Sequence, residues 1–192
     1  MSKLLKNEST SFNFRLADQN DINDIVALVE LAYRGEKSKQ GWTTEAEFID
    51  GQRTDFDEVS QLMQKTDSVF ILCYQQQELV ASVQISKSTD YCYLGMFAVN
   101  PQRQSSGIGG LLLEQAEHHA RQQWTCHLMR MVVISIRQEL IDWYRRKGYQ
   151  PTGKTKPFPY HEPRFGLPKR DDLTLEIYEK KLNEKVNEEK TG

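Results

Sequence analysis

The chain has 192 residues, 38% of them hydrophobic, which is enough for one domain with a full core. Its 25 basic and 27 acidic side chains leave a formal net charge of −2, which excludes the basic excess or stripe of a broad nucleic-acid footprint. The start, MSKLLKNESTSFNF, has no apolar core of signal-peptide length and no other run could span a bilayer, so a cytoplasmic protein without a membrane partner is expected.

Residues 1–11 are polar and expected to be flexible. Phe12 to Leu16 reads as a short alternating strand. Asp18 is placed to cap a helix in which Ile22, Ile25, Val26, Val29, Ala32 and Tyr33 recur at helical spacing, with Gly35 as its stop. A long polar stretch with two glycine breaks follows, and Asp57 to Lys65 predicts a second, short helix. Ser68 to Tyr74 and Leu79 to Ile85, joined by Gln75-Gln76-Gln77-Glu78, predict an antiparallel hairpin, and Tyr91 to Val99 a third strand. Ile108 to Trp124 predicts a helix with Leu111, Leu112, Ala116 and Ala120 on its inner face. Leu128 to Ile136 is apolar on both sides, so a central strand is expected there. Glu139 to Lys147 predicts a helix closed by Gly148, whose dipole Arg145, Arg146 and Lys147 complement. Leu173 to Tyr178 predicts a last strand, and residues 183–192 read as a charged, disordered tail. The order β, α, α, β meander, α, β, α, β, β describes a mixed α/β single domain.

Two residue classes argue by their spacing. Cys73, Cys92 and Cys126 are odd in number and far apart, which fits free thiols in a reducing compartment rather than zinc or disulfides. His118, His119, His127 and His161 show no ligand spacing, so no metal is expected.

The segment Leu94 to Gly110, LGMFAVNPQRQSSGIGG, carries the chemistry. A strand-like run ends at Val99, Pro101 follows, and a short polar loop reaches Gly107-Ile108-Gly109-Gly110 at the start of a long helical pattern. A glycine-rich turn that feeds a helix amino terminus is an anion site, because the first amides have no intrahelical partner and the dipole favours negative charge. No Gly-Lys-Ser/Thr follows, so it is not a Walker loop, and G-x-G-x-x-G is absent too.

With its flanks, this segment resembles the acetyl-coenzyme A motif of the GNAT acetyltransferase superfamily, V-x-P-x-x-Q-x-x-G-x-G. Downstream, LIDWYRRKGY (Leu140 to Tyr149) resembles the family's second signature, an aromatic-Tyr pair before Gly-aromatic. The resemblance follows element order from Phe12 to Leu182, and GWTTEAEFIDGQRTD is similar to the same region of bacterial family members. It implies a mainly antiparallel central sheet flanked by helices, with an N-acetyltransferase domain over residues 12–182. It further implies that amides from Gln104, Ser105, Ser106, Gly107, Ile108, Gly109 and Gly110 hold the coenzyme pyrophosphate; the hydroxyls of Ser105 and Ser106 are either added donors or those of exposed loop serines. Phe97, Ala98 and Val99 would pair with the pantetheine arm as an added strand does, and a main-chain amide there would polarise the thioester carbonyl. Bulky Phe97 beside the thioester favours acetyl over a longer acyl group.

Tyr144 matches the family tyrosine that hydrogen-bonds the departing sulfur. A phenol near ~10 facing a thiol near ~8.5 makes full proton transfer uphill by about 2 kcal/mol before the site tunes it. The family often carries Asn seven residues before that tyrosine. Here the position is Arg137, either a contact to a coenzyme phosphate or an ordinary exposed arginine at a strand end.

The acceptor side falls in the polar stretch after the first helix, where Trp42, Thr44 and Glu45 are candidate substrate residues beside Thr43, Glu47 and Arg53. Lys156 to Pro163, KPFPYHEP, is an aromatic loop that either walls that site or closes the fold. The expected function is acetyl-coenzyme A-dependent transfer to an amine of a small molecule or peptide by direct attack, without a metal. The alternative is a non-catalytic acyl-coenzyme A sensor. A homodimer is the default assembly.

Overall fold

Seven strands, most of them rich in apolar residues, form one sheet, and the structure, a computed structural model, describes residues 11–182 of the chain. Most of the expected flexible start and the whole expected tail, residues 1–10 and 183–192, lie outside the described residues. In chain order the elements are β1 (Phe12–Leu16), α1 (Ile22–Tyr33), α2 (Gly35–Ser38), β2 (Ile49–Asp50), α3 (Phe56–Met63), β3 (Ser68–Gln75), β4 (Glu78–Lys87) and β5 (Cys92–Val99). They continue with α4 (Ile108–Trp124), β6 (Leu128–Ile134), α5 (Gln138–Arg146), β7 (Gln150–Pro157), β8 (Leu167–Pro168) and β9 (Thr174–Lys181). The main sheet runs β1-β3-β4-β5-β6-β9-β7, and every neighbouring pair is antiparallel except β5 and β6. β2 and β8 form a small second sheet.

The helices cover both faces. α1 and α3 bury Ile25, Val29 and Val59 against Phe70, Leu72, Met96 and Ala98. On the other side α4 and α5 bury Leu112, Leu113, Ala116, Ile141 and Tyr144 against Val83, Leu94, Met129 and Met131. Asp18 caps the start of the first helical segment, a 3-10 turn leading into α1, through a reciprocal capping box with Asp21. The helix ends one residue before Arg34, and Gly35 opens the short turn of α2 rather than closing α1. The expected inner face of α4 is rotated: Leu111 is 41% exposed, while Leu113 is buried. A run of three leucines leaves that rotation open until Ala116, Glu117 and Ala120 settle against the sheet. β6 is interior as expected, but it stops at Ile134, and Ile136 is left exposed. The three cysteines are free and buried. No helix among the described residues is long and apolar enough to cross a membrane.

The sheet positions the site through two irregularities of β5. Cys92 and Leu94 face the α4 side, whereas Met96 and Ala98 face the α1 side. Strict alternation would keep these four residues together, so a residue has been inserted. A break in the β4–β5 register between Ser82 and Gln84 marks the bulge, and Met96 takes φ of +42° there. The flip turns Phe97 towards α5. Beyond Tyr93, β5 also leaves β6, since only Cys92↔Met129 and Tyr93↔Arg130 pair. Two neighbouring parallel strands therefore splay apart and open a cleft through the sheet.

Candidate active site

The polar loop after β5 ends at Gly107, the residue before α4, with φ of +86°. Nothing lies within 4 Å of the place where a Cβ would be, so glycine answers to backbone conformation here rather than to crowding. The amides of Ile108, Gly109 and Gly110 donate to no described residue, and the first helical bond runs from Leu111 to the Gly107 carbonyl at 3.2 Å. Three donors thus converge at the positive end of a 17-residue helix. A cation stands beside them: a Cβ on Gly110 would lie 2.7 Å from Lys147 Nζ. A lysine at the positive end of a helix is unfavourable unless the two share an anion. The reading of Arg145-Arg146-Lys147 as a dipole complement to α5 therefore covers only part of the triplet. Arg145 stays on α5 beside Asp142, but Arg146 lines the cavity in front of the loop and Lys147 crosses to α4.

That cavity measures about 460 Å³. Phe97, Val99, Gln104, Ser105, Gly107, Gly109, Gly110 and Trp143 are among its walls. Gln104 holds the loop in place. Its Nε2 donates to Thr43 Oγ1 at 2.7 Å and to the Val99 carbonyl at 3.2 Å, and its Oε1 accepts from the Trp42 amide at 2.9 Å. Gly41 lets that amide approach, since a Cβ there would lie 2.6 Å from Gln104 Oε1. Ser106 Oγ donates to the Arg103 carbonyl at 2.5 Å, and Ile108 and Ala98 bury their side chains in the core. Trp42 lies on this side as well, with its ring centroid 6.3 Å from that of Trp143.

A second cavity of about 270 Å³ opens on the far side of β5. Tyr33, Phe97 and Leu140 line both cavities, so the two meet where the β5 strand splays. Tyr144 lines the second one. Its ring packs edge-on against Phe97, Trp143 and Tyr149 at 6.4, 4.9 and 5.7 Å between centroids, which fixes its direction from α5. Its hydroxyl bonds to no described residue. Burial pushes the phenol above its ordinary range, with the nearby Tyr33 adding to the effect and Arg137 opposing it. Tyr144 is held neutral, a proton donor rather than a phenolate.

Glu45 and Arg137, separated by 92 residues in sequence, meet in the wall of this second cavity. Arg137 Nη1 donates to Glu45 Oε1 at 2.9 Å, Arg34 Nη1 donates to Glu45 Oε2 at 2.5 Å, and Arg137 Nη2 donates to the Thr43 carbonyl. All three side chains are at most 7% exposed. Arg137 is thus neither an exposed strand-end residue nor a wall of the loop cavity, and its guanidinium is directed at Glu45 and Thr43. For Glu45 the largest single influence is burial, which raises its carboxyl, but the arginines together outweigh it and hold the group below the ordinary range. Thr44 shares a 2.6 Å hydrogen bond with Ser38 and lines neither cavity. Phe158 and Pro159 of the aromatic loop do wall the second cavity.

Two further residues of this cavity, Tyr33 and Glu58, escape a reading of the sequence, and a third, Arg53, is named there only as a neighbour of the candidate substrate residues. Tyr33 looks like the last apolar position of α1, yet its hydroxyl donates to the Phe97 carbonyl at 2.6 Å. Glu58 follows Asp55 with capping-box spacing, which hides it as a helix start. Asp55 does cap α3, but Glu58 Oε2 accepts from Thr54 Oγ1 at 2.6 Å and faces the cavity. Burial raises the Glu58 carboxyl above its usual range, against the pull of Thr54 and Arg53. Arg53 reaches the same space over the Tyr33 ring, with Cζ 5.8 Å from the centroid. Among the described residues no group of three His, Cys, Asp or Glu is arranged to hold a metal.

Comparison with known proteins agrees with this architecture. The model of the acetyltransferase (GNAT) family matches residues 17–149. An N-acetyltransferase from Staphylococcus aureus Mu50 superposes with a TM-score of 0.69 at 13% identity, covering 90% of this chain and 99% of that one. The ribosomal-protein-S18-alanine N-acetyltransferase from Escherichia coli gives 0.65 at 12% identity, over 93% and 98% of the two chains. A spermidine N-acetyltransferase chimera from Vibrio cholerae and a human counterpart sequence gives 0.65 at 15%, over 90% and 96%. No curated protein sequence matches the chain. Identities this low speak for the fold alone, but the family model spans well over half of the residues. The chain belongs to the acetyltransferase (GNAT) family.

Proposed function

We propose that the protein is an acetyl-coenzyme A-dependent N-acetyltransferase that acylates an amine of a small molecule or peptide by direct attack. The observation that carries this reading is the junction at Tyr33, Phe97 and Leu140, where an anion-binding cavity meets a second, charged cavity beside Tyr144. Bound acetyl-coenzyme A supplies the activated acyl group as a thioester. The open amides of Ile108, Gly109 and Gly110, with Lys147 and Arg146, suit its pyrophosphate. The edge of β5 that β6 abandons suits the pantetheine arm, which brings the acyl group to Phe97. The bulky Phe97 ring, packed on Trp143 and Tyr144, stands beside the expected position of the acyl group, which favours acetyl over longer chains.

The second cavity is the acceptor side in this reading. An alkylammonium near ~10.4 loses its proton at a cost of about 4–5 kcal/mol near neutral pH. Glu58, with a raised carboxyl, is a better acceptor for that proton than Glu45, which two arginines hold ionised. As the nitrogen–carbon bond forms and the carbon–sulfur bond breaks, Tyr144 hydrogen-bonds the sulfur, and the second proton shed by the nitrogen ends on the departing sulfur, which leaves as a thiol. Burial makes its phenol a weaker acid, yet a sulfur anion in the same dry site is raised by the same desolvation, so a donated hydrogen bond keeps its value. The test is titration calorimetry with acetyl-coenzyme A, followed by thiol release with a panel of amines. One-site binding and amine-dependent release are expected; absence of both overturns the reading.

A further inference from the structure

The second cavity holds more charge than acyl transfer to a plain amine requires. Three guanidinium groups, from Arg34, Arg53 and Arg137, and two carboxylates, from Glu45 and Glu58, line it. The arginines are not equivalent. Arg34 and Arg137 both close on Glu45, which buries them in a fixed wall. Arg53 stands apart. Its backbone amide is anchored to Glu30 Oε1 at 2.5 Å, and the amide of Thr54 binds the same oxygen at 2.8 Å. Its guanidinium makes no ion pair or hydrogen bond with any described residue; it lies over the face of Tyr33 and acts on Glu58 and Glu45 only through space. Arg137 approaches the same ring at 5.6 Å, so Tyr33 is bracketed by two cations at the junction of the cavities.

Glu58 is the complementary half. Thr54 takes one of its oxygens, the other has no partner among the described residues, and it forms no ion pair with Arg53 although both line the same small space. A carboxylate and a guanidinium that share a half-buried cavity without touching match a ligand bearing both charges. With both glutamates ionised, three arginines against two glutamates leave one positive charge in the cavity. A polyamine would add two or more positive charges to that surplus, in a space where charges are poorly screened. A zwitterion adds none and satisfies both unpaired groups. The volume of about 270 Å³ lies just below the ~300–1,000 Å³ of drug-sized pockets, which suits a ligand of single-amino-acid size.

Resting on the acetyl-transfer reading above, we infer that the acceptor is a small zwitterion, an amine carrying its own anionic oxyacid group, with Arg53 binding the anion and Glu58 facing the amine. The guanidinium fork grips a carboxylate or phosphonate through two parallel N–H···O bonds, which orients the amine towards Phe97. Arg53 is thus a specificity residue for the acceptor.

The experiment measures acetyl-coenzyme A-dependent thiol release by the full chain with four acceptor sets: free amino acids, the same compounds as carboxamides, aminoalkylphosphonates, and spermidine. The expected result is turnover of at least one amino acid or aminophosphonate, and about a 100-fold drop in kcat/KM when the anion of that acceptor is removed. Which of the two anionic sets is used identifies the anion. Arg53→Met should raise KM for the anionic acceptor about 100-fold with kcat within a few-fold, should leave acetyl-coenzyme A affinity unchanged, and should bring the acid and its amide towards equal use; Arg53→Lys should recover part of the difference. A variant fold check by circular dichroism accompanies each. Better turnover of spermidine or of the carboxamides, an Arg53→Met enzyme that keeps its preference, or turnover of none of the anionic acceptors overturns the inference. Failure to bind acetyl-coenzyme A at all is the separate failure of the acetyl-transfer reading.

Discussion

The hydroxyl of Tyr33 donates to the main-chain carbonyl of Phe97 at 2.6 Å, across 64 residues of sequence. It ties the end of α1 to the bulged strand at the point where the two cavities join. Removing it by Tyr33→Phe deletes one hydrogen bond worth about 1 kcal/mol net. The expected outcome in steady-state kinetics is a fall of about five-fold in kcat/KM for the amine, with acetyl-coenzyme A affinity retained.

Glu45 is the hub of the buried wall, held by Arg34 and Arg137. Glu45→Gln leaves two guanidinium groups facing each other in a nearly dry site. Breaking a buried ion pair from one side costs about 3–5 kcal/mol. Urea unfolding should report a loss of that order, and a change below about 1 kcal/mol would mean that water reaches the wall.

Gly107 precedes α4 at φ of +86° in open space, so Gly107→Ala introduces backbone strain without a clash. A left-handed alanine costs roughly 1–2 kcal/mol. Relaxing that strain turns the three open amides away from their common focus. Calorimetry should show acetyl-coenzyme A binding weakened about ten-fold, with thermal stability lowered by a few degrees at most.

Asp21, Glu45 and Asp55 all have carboxyls held below their ordinary range. Arg15 does this for Asp21, the arginines outweigh burial at Glu45, and Arg164 takes Asp55 down to about 2. A carboxyl that is more acidic folded than unfolded gives stability that is complete above its unfolded value and is lost as pH falls through the folded one. Glu58, with a raised carboxyl, works the other way: its contribution is present at low pH and is lost as pH rises through its folded value. Exposed Asp172 is also lowered, by Arg170, so four groups outnumber one, and thermal melts should show stability declining below about pH 4 and continuing to fall towards about pH 2. Asp55→Asn should shallow the last part of that decline.

The geometry of the loop cavity was legible because its information is local. Val99, Pro101, Gln104, Gly107 and Gly109 lie within eleven consecutive residues, and the strand, turn and helix they specify are contiguous. Tyr144 followed for the same reason, from a short motif on one helix. The second cavity is assembled from distant positions. Glu45 finds Arg137 across 92 residues, and Tyr33 finds Phe97 across 64. Charged residues in a polar stretch without periodicity carry no sign of which will be buried. The flip in β5 is hidden too, because Met96, Phe97, Ala98 and Val99 are all apolar, and an unbroken apolar run gives no phase to a strand. The rotation of α4 is lost in the same way among Leu111, Leu112 and Leu113.

The central claim is that Tyr144 serves the departing sulfur where the two cavities meet, and the most direct measurement compares wild type with Tyr144→Phe for turnover and for coenzyme A affinity. The ring contacts with Phe97, Trp143 and Tyr149 survive that change, so the fold and the loop cavity should persist. The account predicts a fall in kcat of about 100-fold, within the usual reach of general acid catalysis, with coenzyme A binding unchanged. Equal turnover in the two proteins would contradict it.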